Sequence, residues 1–70
     1  MIENLQAIRA KLDDDALYKE EEVLAFMNFV AMNYSELSDD GGINPAYRDK
    51  VNSLGVQFDY VNAIVQDILN

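Results

Sequence analysis

Val23-Leu24-Ala25-Phe26-Met27-Asn28-Phe29-Val30-Ala31-Met32-Asn33-Tyr34 is the most apolar run in the 70-residue chain. It is too short to span a bilayer, which takes about 20 residues. It is also too apolar for a helix that shows one whole face to water. The run therefore predicts a central, mostly buried helix. At 100° per residue, Val23, Phe26, Met27, Val30, Tyr34 and Leu37 share one broad face, with Leu24 and Ala31 on its flank. Glu22, Asn28, Asn33 and Glu36 occupy the opposite side. Ala25, Phe29 and Met32 also fall there and make a second, smaller apolar patch behind the main face.

The segment before the run is acidic. Asp13-Asp14-Asp15 and Glu20-Glu21-Glu22 are separated by Ala16-Leu17-Tyr18-Lys19. Aspartate is a poor interior helix residue and a good N-cap. Asp15 is thus expected to cap the central helix, with Ala16-Leu17-Tyr18 as its first turn and its end near Leu37. Ahead of the acids, Met1, Leu5, Ile8 and Leu12 recur at helical spacing and predict a short first helix over 1–12. Glu3 in its first turn and Arg9 and Lys11 in its last suit the helix dipole.

After the run, Ser38-Asp39-Asp40-Gly41-Gly42 has turn chemistry throughout. Asn44-Pro45 supplies an N-cap and a first-turn proline for a third helix. Tyr47, Val51, Leu54, Phe58, Val61, Val65 and Leu69 then hold a 3.6-residue rhythm to the end. The rhythm predicts one long helix despite Gly55, which costs about 1 kcal/mol inside a helix relative to alanine. A break at Gly55 is the alternative. A second ridge, Val56, Tyr60 and Ile64, runs along the same segment with Ala63 beside it. The expected fold is all-α: a small three-helix bundle in one domain over 1–70, with a short first helix, a central apolar second and a long third, and a tendency to dimerise.

Composition narrows the function classes. Cysteine, histidine and tryptophan are all absent. That leaves no disulfide, no thiolate or imidazole metal ligand and no histidine acid–base catalyst. Thirteen acidic residues against five basic give a net charge of −8. Such a chain is repelled by phosphate backbones and by anionic lipid surfaces, so neither nucleic acid nor membrane is expected as a direct partner. No basic start or apolar segment within the first fifteen residues suggests a signal peptide, so the expected location is the cytoplasm. Glu36, Ser38 and Asp40 fit the first positions of a calcium loop. Tyr47 stands where the final bidentate carboxylate belongs, so the stretch reads as a turn and no cofactor is expected.

Two features remain as functional candidates. The first is acidic: Asp13, Asp14, Asp15, Glu20, Glu21, Glu22, Asp39 and Asp40 hold eight of the thirteen acids. Capping and dipole matching use only some of them. The second is apolar: Phe29, Met32, Val56, Tyr60 and Ile64 lie off the faces of a simple three-helix core and suggest a dimer or partner interface. Together they predict a non-enzymatic protein that docks on a larger protein with a basic surface and modulates or inhibits it. An inhibitor occupying a nucleic-acid-binding surface, as a nucleic-acid mimic, is the concrete version. It resembles small phage, mobile-element and immunity proteins in size and charge alone. The competing expectation is a homo-oligomeric assembly protein whose acidity serves only solubility.

Overall fold

Gly55 divides the segment that the periodicity predicts as one long helix. The structure, a computed structural model, describes residues 1–70. It is all-α, with helices α1 (Ile2–Asp15), α2 (Glu20–Met32), α3 (Arg48–Ser53) and α4 (Phe58–Leu69). Short 3-10 turns occupy Tyr34–Glu36 and Pro45–Tyr47. The expected three-helix bundle is therefore corrected to four helices. Gly55 sits at φ +100°, a backbone conformation that favours glycine. The Leu54 and Gly55 N–H groups donate to the carbonyls of Val51 and Asn52 at 3.0 and 3.1 Å, tightening the turn. Asn52 then caps the next helix, its Oδ1 accepting from the Phe58 N–H at 2.8 Å. The Tyr18 hydroxyl accepts from the Gln57 N–H at 3.0 Å. Two N-terminal donors of α4 are thus satisfied from outside it.

The other boundaries shift for equally local reasons. α1 continues past Leu12 to Asp15 because Arg9–Asp13 and Lys11–Asp15 pair one helical turn apart, at 3.4 and 3.1 Å. Ala16 ends the helix at φ 56°, its N–H donating to the Leu12 carbonyl at 3.2 Å. Asp15 therefore closes α1 and does not cap α2. Lys19 holds the N-cap position of α2, and the Glu22 carboxylate accepts from the Lys19 N–H at 2.9 Å. At the far end, Asn33 donates both its backbone N–H and its Nδ2 to the Phe29 carbonyl, at 3.1 and 2.9 Å. That local competition stops α2 at Met32, short of Leu37.

Thirteen apolar residues form one buried cluster, with Phe26 its largest fully enclosed side chain. Ile8 and Leu12 enter it from α1, and Val23, Val30 and Phe29 join Phe26 from α2. α1 packs against both α2 and α4, and α4 also packs against α3. With neighbours on two sides, α4 buries two ridges. Phe58, Val61 and Val65 are buried on one, and Ile64 on the other. The Ser38–Gly42 turn is docked on α4: Asn62 Oδ1 accepts from the Ile43 N–H at 2.6 Å and holds Ile43 in the core.

Two substitutions of opposite sense test the two corners. Gly55→Ala introduces a Cβ at positive φ, only 2.8 Å from Glu22 Oε2, and should destabilise by about 1–2 kcal/mol. Ala16→Gly relieves the one non-glycine residue at positive φ, with an expected net gain of about 0.5 kcal/mol after the added freedom of the unfolded chain. Urea unfolding followed by circular dichroism measures both. Equal stability of Gly55→Ala and the parent chain would show that the corner tolerates a side chain.

Candidate functional site

Six of the predicted acids meet at the α1–α2 corner. Asp13, Asp14 and Asp15 close α1, and Glu20, Glu21 and Glu22 open α2. Their carboxylates have different duties. Arg9 pairs with both Asp13 and Glu20. Asp15 pairs with Lys11 and accepts from the Tyr60 hydroxyl. Glu22 is the cap of α2. Asp14 and Glu21 are exposed, with neither hydrogen bond nor ion pair. Three cations, Arg9, Lys11 and Lys19, stand among the six acids, so the corner keeps a net negative charge.

Leu17 lies in the middle of this corner and is 61% exposed. The expected first turn of α2 had absorbed it, but residues 16–19 form a non-helical turn and bend between α1 and α2. The signal was legible in the phase: Leu17 matches neither the Ile8–Leu12 face before it nor the Val23–Phe26 face after it. Leu17 is thus an exposed apolar side chain lying in the chain between two acidic runs.

Asp39 and Asp40 stand apart from the other six. Tyr60 marks the α1–α2 corner near the start of α4. Asp40 accepts from Gln66 Nε2 at 2.9 Å, six residues and about 9 Å further along that helix. It also accepts from the Gly42 N–H at 2.9 Å and from the Ser38 hydroxyl. Asp40 is thereby a turn-forming residue, and Asp39 beside it is exposed and unpaired. No group of three or more Asp or Glu side chains converges closely enough to hold a metal ion. No helix is long and apolar enough to cross a membrane.

The apolar residues singled out from the sequence divide as sharply. Val56 and Ile64 are 4% and 8% exposed, so they belong to the core and offer no ridge. Val56 enters the core cluster from the turn before α4, and Ile64 from α4 itself, which packs against both α1 and α3. Tyr60 is half-buried, its ring edge-on to Tyr18 at 6.0 Å and its hydroxyl on Asp15. Phe29 is buried too, its ring edge-on to Tyr47 at 5.5 Å. Met32 alone projects freely, at 75% exposed.

Phe29 and Met32 nevertheless share a groove of 480 Å³ with Ala25, Tyr47, Leu54 and, on its rim, Asn28, Asn33 and Lys50. Tyr47, Lys50 and Leu54 were not foreseen as its walls, because helical spacing does not say which side chains of another segment face Phe29 and Met32. Lys50 makes no ion pair here, whereas Arg9, Lys11 and Arg48 all do. A smaller recess of 170 Å³ lies over Lys11, Ile64, Asp67 and Ile68.

Hydrogen bonding displaces three ionisations. The Tyr60 hydroxyl, then Lys11, hold the Asp15 carboxyl below the ordinary carboxylate range. Ser38 and the Gly42 N–H do the same for Asp40. Tyr60 is pushed up to about 12 by its bond to Asp15. The lowered carboxylates contribute stability above their ordinary pKa and lose it as pH falls through the lowered values. Tyr60 works in the other direction: its contribution is complete below the ordinary value of 10.0 and lost as pH rises to about 12. Thermal unfolding across the pH range should show both losses. Tyr60→Phe should abolish the alkaline loss and shrink the acid one; an unchanged alkaline limb would mean that another tyrosine carries it.

Comparison with protein-family models, with curated proteins and with solved structures finds nothing that matches this chain.

Proposed function

We propose that the chain is a non-enzymatic binding protein that sets its acidic α1–α2 corner on a basic surface of a larger protein and modulates or inhibits it. The observation that carries this reading is Leu17, 61% exposed in the short link between the acidic end of α1 and the acidic start of α2. A small apolar anchor framed by charge is the anatomy of a protein-binding patch: the anchor supplies affinity, and the surrounding charge supplies encounter rate and orientation. A net charge of −8 extends the attraction beyond the contact itself. Strongly basic protein surfaces commonly serve to meet phosphates. The corner's carboxylates would then stand in for phosphates and compete with nucleic acid for the same lysines and arginines. The absence of cysteine suits a reducing compartment such as the cytoplasm.

Asp14 and Leu17 make the cleanest test, because neither supports the fold. A partner recovered by affinity capture and identified by mass spectrometry would be used for kinetics. Leu17→Ser is expected to raise the dissociation rate, and Asp14→Asn to slow association and flatten its dependence on salt. Neither should lower thermal stability. If both variants bind with parental rates, the corner is not the docking surface and its charge serves solubility.

A further inference from the structure

We infer that the groove between α2 and the Tyr47–Leu54 segment binds a small planar aromatic ligand that carries one carboxylate or sulfonate. The groove shares no residue with the Leu17 link, and this inference does not rest on the reading above. Its volume of 480 Å³ falls within the range of small-molecule sites, roughly 300–1,000 Å³. Such sites combine apolar walls with a few polar groups that orient the ligand. Here Phe29, Met32, Tyr47 and Leu54 give the walls, and Asn28 and Lys50 the orienting groups.

Charge selects an anion. Lys50 is the only charged residue that lines the groove, and its ammonium makes no ion pair. Tyr47 lies against Phe29, and Gly55 against Glu22. Lys50 therefore stands level with the middle of α2, between Ala25 and Asn28. Asp49, its neighbour in the chain, does not line the groove, nor does Glu36, which holds the Tyr47 hydroxyl at 3.3 Å. At physiological salt, charges beyond about 8 Å are largely screened. A ligand anion seated in the groove therefore answers first to Lys50 and only weakly to the net charge of −8.

Asn28 brings the second donor. Its Nδ2 donates to the Met32 sulfur at 3.6 Å, a weak acceptor. A carboxylate or sulfonate oxygen is a stronger one. Transfer of that donor to the anion releases Met32, which is 75% exposed. An unbranched thioether adapts to an irregular neighbour and makes favourable contact with aromatic rings. Met32 thereby closes the open side of the groove over the ligand. Phe29 and Tyr47, edge-on to each other at 5.5 Å, give the ligand ring aromatic neighbours on the inner side. Other occupants meet a specific obstacle. A cationic ligand or basic peptide faces Lys50, and a second copy of the chain brings a further net charge of −8.

Two fluorescent probes with the same rings test the proposal on the whole chain at neutral pH. One is 8-anilinonaphthalene-1-sulfonate, an anion; the other is N-phenyl-1-naphthylamine, which is uncharged. The sulfonate should saturate one site per chain with a dissociation constant on the order of tens of micromolar, as ordinary ligand efficiency gives a molecule of its size. Amide NMR shifts should fall on Ala25–Asn33 and Tyr47–Leu54. Lys50→Gln should weaken the sulfonate about fivefold and leave the uncharged probe unchanged, while Lys50→Arg keeps the parental affinity. Met32→Ser should weaken both probes about threefold. Ile2→Ser, which removes an exposed apolar side chain outside the groove, should alter neither. All three positions are exposed, and circular dichroism should show unchanged helicity. Absence of saturable binding at millimolar sulfonate overturns the proposal. So does a sulfonate affinity indifferent to Lys50→Gln, an equal loss of both probes in that variant, or a shift pattern centred on another face.

Discussion

The fold depends on one clasp, in which the α1–α2 corner grips the α3–α4 corner. Tyr18 and Tyr60 meet edge to face at 6.0 Å. Each ring then spends its hydroxyl on the opposite corner. Tyr18 accepts from the Gln57 N–H at the start of α4, and Tyr60 donates to Asp15 at the end of α1. Glu22 rests against Gly55, where even a methyl group would come within 2.8 Å of it. Four helix ends are thereby fixed to one another. Short helices are marginal alone in water, and α3 has only six residues. It persists because the clasp holds its C-terminal turn while Arg48, stacked over Phe58 at 4.6 Å and paired with Asp59 at 3.0 Å, joins it to α4.

The clasp also changes how the acidity reads. Three aspartates at the end of α1 oppose the helix dipole, and a chain at −8 repels itself. Lys11 and Tyr60 answer Asp15, Arg9 answers Asp13 and Glu20, and the Lys19 backbone answers Glu22. With Asp40 bound into its own turn, five of the eight acids have local work in the fold. Exposed ion pairs contribute little each, so these contacts offset repulsion more than they add stability. Asp14, Glu21 and Asp39 have no such work, and two of them flank Leu17.

Much of this was legible in the residues. The Ile8–Leu12 and Val23–Phe26–Val30 faces are buried as their spacing indicates, and Asn44 accepts from the Ala46 N–H at 3.0 Å, in keeping with its reading as a cap. The break at Gly55 stood only as the alternative to one long helix, because a tight turn can preserve phase. Val51, Phe58, Val61 and Val65 all face the core on both sides of it, so a 3.6-residue rhythm runs through as if nothing intervened. The groove and the burial of Val56 and Ile64 were not legible in that rhythm. Helix ends were misplaced where a side chain competes with the backbone, as at Asn33, or where pairing with Arg9 and Lys11 carries aspartates into a helix they do not favour. Such effects depend on partners that spacing alone does not identify.

The division of labour along α2 follows from these constraints. Its first turn belongs to the clasp through Glu22 and to the acidic corner through Glu20 and Glu21. Its last two turns carry the open groove. The groove begins at Ala25, three residues after Glu22, so the two regions adjoin within about one helical turn. Glu22 and Ala25, one turn apart, thus serve the clasp and the groove respectively, so a change in how α2 starts moves both.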